Sequence, residues 1–322
     1  MTVTTIERTP FQTAVAAAVR APSLHNSQPW RFALRGDTVE VRADPLRLLA
    51  VADPTGWGLR LSCGAAAYNL GLAFAVGGTP VDVEWLPKPT DRDLLAAVRP
   101  DPARPATPLQ HRLFRAIPRR RSNRLPFRNE PVPPAARMAI LQAARAESAW
   151  LELVSGTAPV AMVAEIAQAA NRVLSRDSGY TAEIAAWTRH GPPARDGVPA
   201  AAGGPSPEPT DLLPRRSFSD IARPPGLEYE HEPLAAVLGT GGDRPVDQLM
   251  AGYALQRVLL TITDLGLSSS MFSQPIEVAS AREQLRIALG RFGCPQMVLR
   301  VGYGDTGPAT PRRPMSDVID AA

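Results

Sequence analysis

Cysteine is nearly missing from this chain of 322 residues: Cys63 and Cys294 are the only two. Two distant thiols cannot make a disulfide framework, and with four scattered histidines they offer no metal-ligand spacing. Each lies inside or beside an apolar segment, which reads as a buried thiol in a reducing cytoplasm. Lysine is scarcer still. Lys88 stands alone, so arginine carries the basicity behind a net charge of +4 and a pI near 9.5. Most arginines are dispersed among acids, and the clusters are short: Arg119-Arg120-Arg121 with Arg124, Arg215-Arg216, and Arg312-Arg313. Nucleic acid usually requires a broad basic stripe with interleaved aromatics, and aromatics are only 6% here, so no nucleic-acid partner is expected. Clusters of this size suit a phosphate better. A run of roughly 18 apolar residues is also absent, so no membrane-spanning helix is expected. The opening MTVTTIERTP lacks the basic-then-apolar order of a secretory signal.

What is present is the composition of a globular protein, 44% hydrophobic and 20% charged, with 34 prolines. Residues 10–20 read as a short helix broken by Ala21-Pro22-Ser23, and a polar loop runs on to Trp30. Arg31 to Val41 reads as a hairpin turning at Gly36-Asp37. Residues 57–77 are apolar and rich in small side chains, the pattern of a helix buried on most sides. Val81 to Trp85 is a strand, and the proline-dense stretch from Pro87 to Pro108 reads as a surface linker with one helix at Asp91–Val98. Then come helices at Leu109–Ile117 and Pro134–Ala146, a strand at Trp150–Val154 and a helix at Val160–Leu174. From Gly191 to Pro233 the chain turns to Pro, Gly, Ala and Ser, a surface loop or lid. Val246 to Leu265 is a second buried helix, and Gln296 to Tyr303 a strand.

The order helix, strand, buried helix, strand thus occurs twice, which points to an internal duplication with halves at 1–108 and 109–322. Arg20-Ala21-Pro22-Ser23 before Trp30 aligns with Arg145-Ala146-Glu147-Ser148 before Trp150, and Gly64 to Gly78 aligns with Gly252 to Gly266. Each half carries a polar motif that the other lacks, so the pattern predicts one composite site. In the first half it is APSLHNSQPW, residues 21–30, where Ser23, Asn26 and Gln28 could read the edge of a flat ring or simply cap the preceding helix. In the second it is RRRSNRLPF, residues 119–127. If that segment is extended, Arg120, Ser122 and Arg124 face one way, as a phosphate receptor or a solvated basic turn would. GLSSSMFSQPIE, residues 266–277, reads as a loop after a helix end at Gly266.

Together these motifs resemble the flavin-dependent nitroreductase superfamily over most of the chain. Pro22, Ser23, Asn26, Gln28, Pro29 and Trp30 are similar to its PSxxNxQPW loop, and Arg120, Ser122, Arg124 and Phe127 to its RxSxR phosphate motif. Pro275-Ile276-Glu277 resembles the segment beside the flavin's reactive nitrogen, and Arg312-Arg313 the basic pair near the C-terminus. Both motifs on one chain resemble the Acg family, in which a fused pseudo-dimer binds one FMN. The resemblance implies an α+β nitroreductase-like fold in two unequal halves. It also implies FMN held by Pro22, Ser23, Leu24, Asn26, Gln28, Arg120, Arg121, Ser122, Arg124, Pro275, Ile276, Glu277, Arg312 and Arg313. NAD(P)H would be a transient partner with a small organic substrate, since no GxGxxG fingerprint is present. No catalytic side chain and no metal are expected, and self-association is possible but not required. A cytoplasmic oxidoreductase is implied, with flavin storage beneath a closed lid at 191–233 as the alternative.

Overall fold

A short apolar helix, α1 (Pro10–Ala18), buries Ala14, Val15, Ala17 and Ala18 and leads into the first polar loop. The structure is a computed structural model that describes residues 10–191, 194–206, 211–213, 216, 218, 230 and 233–320. Strands β1 (Trp30–Arg35) and β2 (Thr38–Ala43) form the anticipated hairpin, with Gly36 at the turn in the left-handed region (φ 61°). Next come α2 (Trp57–Val76), β3 (Val81–Trp85) and β4 (Leu94–Pro100). The four strands make an antiparallel sheet in the order β1-β2-β4-β3.

β4 overturns the helix expected at Asp91–Val98 and, with it, the surface linker. Leucine and alanine favour a helix locally. Here Leu94–Val98 are buried and bonded on both edges, to β2 and to β3, and this non-local pairing outweighs local propensity.

Helix α3 (Pro108–Ala116) starts with a capping box, in which the Gln110 backbone N–H donates to the Thr107 hydroxyl and the Thr107 N–H to the Gln110 side-chain Oε1. Its Leu113 and Ala116, with Ile117, pack into the first core. Then follow α4 (Pro134–Arg145), β5 (Trp150–Val154), α5 (Thr157–Ser175), α6 (Ser178–Trp187) and the short pair β6 (Thr188–Arg189) and β7 (Val198–Pro199). A fully buried strand, β8 (Leu234–Thr240), follows the insert, part of which lies outside the described residues. The chain continues through α7 (Pro245–Asp264), β9 (Ser268–Phe272), the short α8 (Gln274–Glu277), α9 (Ala279–Ala288) and β10 (Cys294–Gly302). Residues 266–277 are therefore not a loop, although Gly266 does end α7 in the left-handed region (φ 73°).

The second sheet has the order β5-β8-β10-β9. Position for position this repeats β1-β2-β4-β3, with α2 and α7 each leaving the second position and returning to the fourth, at the sheet edge. The tight turn between β1 and β2 is replaced by 155–233 in the second copy. The two long helices pack at the centre, where their backbones meet at glycine. A Cβ on Gly64 would overlap the Leu249 carbonyl, and one on Gly252 would overlap the Leu61 carbonyl. Among the described residues, α2 is the one helix long and apolar enough to cross a bilayer, and here it is a core helix with most side chains buried. The end of the chain returns to the first sheet, where Phe32 N–H donates to Val318 O and Asp320 N–H to Phe32 O.

Candidate functional site

The first polar loop is held by unusual backbone. His25, Asn26 and Gln28 all lie at positive φ, 51°, 55° and 53°, where a non-glycine residue is strained by the order of 1 kcal/mol each. The side chains that hold it are Asn26 and Gln28. Asn26 Nδ2 donates to Gly197 O at 2.8 Å and Pro311 O at 3.0 Å, and its Oδ1 accepts from Arg312 at 2.9 Å. Gln28 Nε2 donates to Arg195 O at 2.9 Å, its Oε1 accepts from Arg313 N–H at 2.8 Å, and its own N–H donates to the Ser23 hydroxyl. The loop is thereby fastened to both the insert and the tail.

Beside it opens a narrow cleft, part of it open to solvent. Pro22 to His25 form one wall, the N-terminal face of α2 the floor, and Ser270 to Gln274 the facing wall. The floor is small-sided, with Gly58, Ser62 and Ala65; a Cβ on Gly58 would press against Leu24 and the Asp53 carboxylate at 3.1 and 3.2 Å. Asp53 caps this helix end through Gly58 N–H and Leu59 N–H. The RRRSNR segment runs alongside β9: Ser122 bridges Ser269, Asn123 N–H donates to Ser269 O, and the Ser270 hydroxyl donates to Asn123 O. This pairing brings Arg124 to the cleft, where its Nη1 donates to Ala202 O and its guanidinium lies 5.1 Å from the centre of the Phe218 ring. Arg216 and Phe218 of the insert also line the cleft.

Where the loop begins, arginines gather without an acid. Arg120 is 4% exposed; among the described residues its Nε and Nη1 have no partner, and Nη2 reaches only Arg20 O at 3.4 Å. Arg312 converges on the same turn through Ala21 O, and its Nε is also unpartnered. Burial, then the neighbouring Arg121, pulls Arg120 down to about 10. Burial, then Arg120, Arg20 and Arg121, pulls Arg312 down to about 9. Among the described residues no carboxylate pairs with any of the four.

No family model matches the chain. A Mycobacterium tuberculosis protein named as a candidate NAD(P)H nitroreductase is 37% identical over 96% of this chain and 90% of its own length. A second from the same organism, the candidate NAD(P)H nitroreductase Acg, is 31% identical over 96% of this chain and 95% of its own length. The chain belongs to the nitroreductase family that includes Acg. Similar solved structures include a nitroreductase with bound FMN from Desulfitobacterium hafniense (15% identical, TM-score 0.42, 66% of this chain and 98% of that chain). Another is the FMN- and NADPH-dependent nitroreductase NfnB from Sphingopyxis sp. strain HMH (19%, TM-score 0.41, 65% and 98%).

The nitroreductase-type motifs are brought together unevenly. Pro22, Ser23, Leu24 and Arg124 line the cleft; Arg120 and Arg312 meet, with Arg121 beside them and Ser122 in the bridge to β9. Arg121 itself turns back, donating to Pro118 O and Arg120 O. Asn26 and Gln28 face protein rather than the cleft. Arg313 is locked to Asp44 at 3.2 Å and to Asp317 O. Pro275 and Ile276 are buried in α8 behind the wall formed by Ser270–Gln274. Glu277 pairs with Arg216 and accepts from the Tyr180 hydroxyl at 3.0 Å. Burial weakens the charge on Arg216, but Glu277 and Tyr180 outweigh it and hold its pKa above the usual arginine value. His25 and Phe218 were not anticipated as site residues, and Arg216 only as half of the short basic pair Arg215-Arg216. Only adjacency to the motif could have suggested the first, and the insert carries no periodic signal for the others.

Proposed function

We propose that this chain is an FMN-dependent oxidoreductase holding one flavin in the cleft between the first loop, α2 and β9. The observation that carries this reading is the buried Arg120, whose Nε and Nη1 meet no acceptor among the described residues, with the half-buried Arg312 and its unpartnered Nε beside it. A lone buried guanidinium costs several kcal/mol, and a phosphate dianion would be the partner such a cluster lacks. In this reading Arg20 and Arg121 lie near the phosphate, Ser122 bonds it or the ribityl chain, and Pro22, Ser23 and Leu24 contact the ring. Arg124 stabilises negative charge that gathers on reduction. When bound, the flavin supplies hydride transfer between a reduced nicotinamide and a small organic acceptor. The protein's part is to bind, orient and exclude water, and no side-chain acid or base is assigned. The names of the relatives, NAD(P)H nitroreductases, favour the same chemistry.

We further infer that residues 1–108 and 109–322 are the halves of an intramolecular pseudo-dimer with one working cleft. The repeated strand order and the reciprocal glycines support this. At the spacing that relates Gly64 to Gly252, the small floor residues Gly58, Ser62 and Ala65 correspond to Val246, Met250 and Tyr253. The Tyr253 ring packs edge-on against Tyr68 at 4.9 Å and Trp85 at 5.6 Å, filling space that the first cleft keeps open. Pairing of chains is then unnecessary for the site. Two free thiols suit a cytoplasmic protein.

Flavin storage is the second reading, favoured by the insert's Arg216 and Phe218 in the cleft wall, with Arg216 held by Glu277. Added FMN should bind at about one per chain; a protein that takes up none overturns both readings. Anaerobic mixing of the loaded protein with NADH or NADPH separates them. Rapid bleaching of the flavin supports the oxidoreductase, and flavin that stays oxidised supports storage.

A further inference from the structure

His25 is a buried polar residue of the first loop with both ring nitrogens left unsatisfied by the described residues. It lies in the cleft wall, 3% exposed, and among the described residues neither Nδ1 nor Nε2 has a hydrogen-bond partner. Its ring meets Phe218 edge-on at 5.9 Å, so packing fixes its position without satisfying its polarity. Burial foremost, then the charges of Arg216 and Arg124, holds its pKa well below the usual histidine value, which leaves a neutral imidazole with one donor and one acceptor. Buried polar groups are rarely left unpaired without a reason, and ligand recognition is one. Its neighbours Asn26 and Gln28 cannot serve that purpose, because their amides are committed to Gly197, Pro311, Arg195 and the tail arginines.

We propose that His25 is the side chain through which the first loop reads the bound cofactor, its ring N–H donating to a carbonyl oxygen on the imide edge of the flavin. This rests on the flavin reading above. The left-handed backbone is part of the arrangement: at φ 51° and ψ 18° the side chain leaves the loop in a direction that a helical residue at this position would not take. The residue therefore positions the ring. It binds rather than transfers a proton.

The test is His25→Gly, which removes the imidazole while favouring the left-handed backbone, so that loss of the side chain is separated from backbone strain. FMN affinity is measured by fluorescence quenching, and the flavin carbonyl stretches by infrared difference spectroscopy on loaded protein. Loss of the hydrogen bond should weaken FMN binding by about tenfold and move a carbonyl band to higher frequency, and added imidazole should reverse both. If the glycine variant fails to fold, His25→Phe keeps the ring packing against Phe218, and the band should shift in the same way. A wild-type chain that loads fully, with carbonyl bands unchanged in the variant, overturns this inference alone. A change in affinity without a band shift also overturns it, since packing would then be the cause. A wild-type chain that takes up no FMN overturns the flavin reading and this inference with it.

Discussion

Burying a guanidinium with unmatched donors destabilises a fold, so Arg120 offers a measurement independent of turnover. Arg120→Leu should stabilise the flavin-free protein by about 1–3 kcal/mol in urea denaturation, because an unpaired charge leaves the interior. The same change should weaken FMN binding by roughly 10- to 100-fold, the worth of charge-assisted bonds to phosphate. Lower stability of the flavin-free variant would mean that Arg120 has a structural partner instead. Asp53 has a signature in pH. Burial raises its carboxyl to about 6, against the Gly58 and Leu59 N–H donors that lower it. The folded chain therefore holds this proton more tightly than the unfolded chain, where the value is about 3.9. Its stabilising contribution is complete below about pH 4 and is lost as pH rises through about 6, on the order of 3 kcal/mol at most. The stability advantage of wild type over Asp53→Asn should accordingly shrink between pH 4 and pH 7 in chemical denaturation, and an advantage that grows with pH would contradict the assignment.

Among the elements, the α2–α7 crossing decides the most. Alanine in place of glycine on an exposed helix gains about 1 kcal/mol from propensity. At Gly64 or Gly252 the added methyl would enter the facing backbone, so Gly64→Ala and Gly252→Ala should each destabilise by about 2–3 kcal/mol or more, read from thermal unfolding. A neutral or stabilising result would show that the helices can separate. These glycines were legible in sequence as the aligned pair Gly64 and Gly252, because a crossing this close leaves no other side chain. The long helices and the β1–β2 hairpin were legible for similar reasons, in apolar composition and turn chemistry. β4 was not, since Leu94–Val98 becomes a strand only through partners on β2 and β3, which no local window contains. β8 was hidden likewise: a short apolar run beside the irregular insert has no period of its own.

For the whole molecule, the pairing of the two motifs could be anticipated because each half lacks what the other has. The role of each residue within them could not. Asn26 and Gln28 have the right chemistry to read a ring, but their partners at residues 195–197 and 311–313 become visible only once the chain is folded. Arg313 reads as a phosphate ligand until Asp44 is seen beside it. The tail that supplies these partners also bears on how the protein is made. Asn26 leaves the ribosome 285 residues ahead of Pro311, to which it is bonded, and Phe32 waits as long for Val318 and Asp320. The strained turn at His25–Gln28 therefore lacks its tail partners through nearly all of synthesis. Since non-local closure slows folding, the nascent first half must persist with this loop unset, and ligand uptake becomes a late event in the life of each new chain.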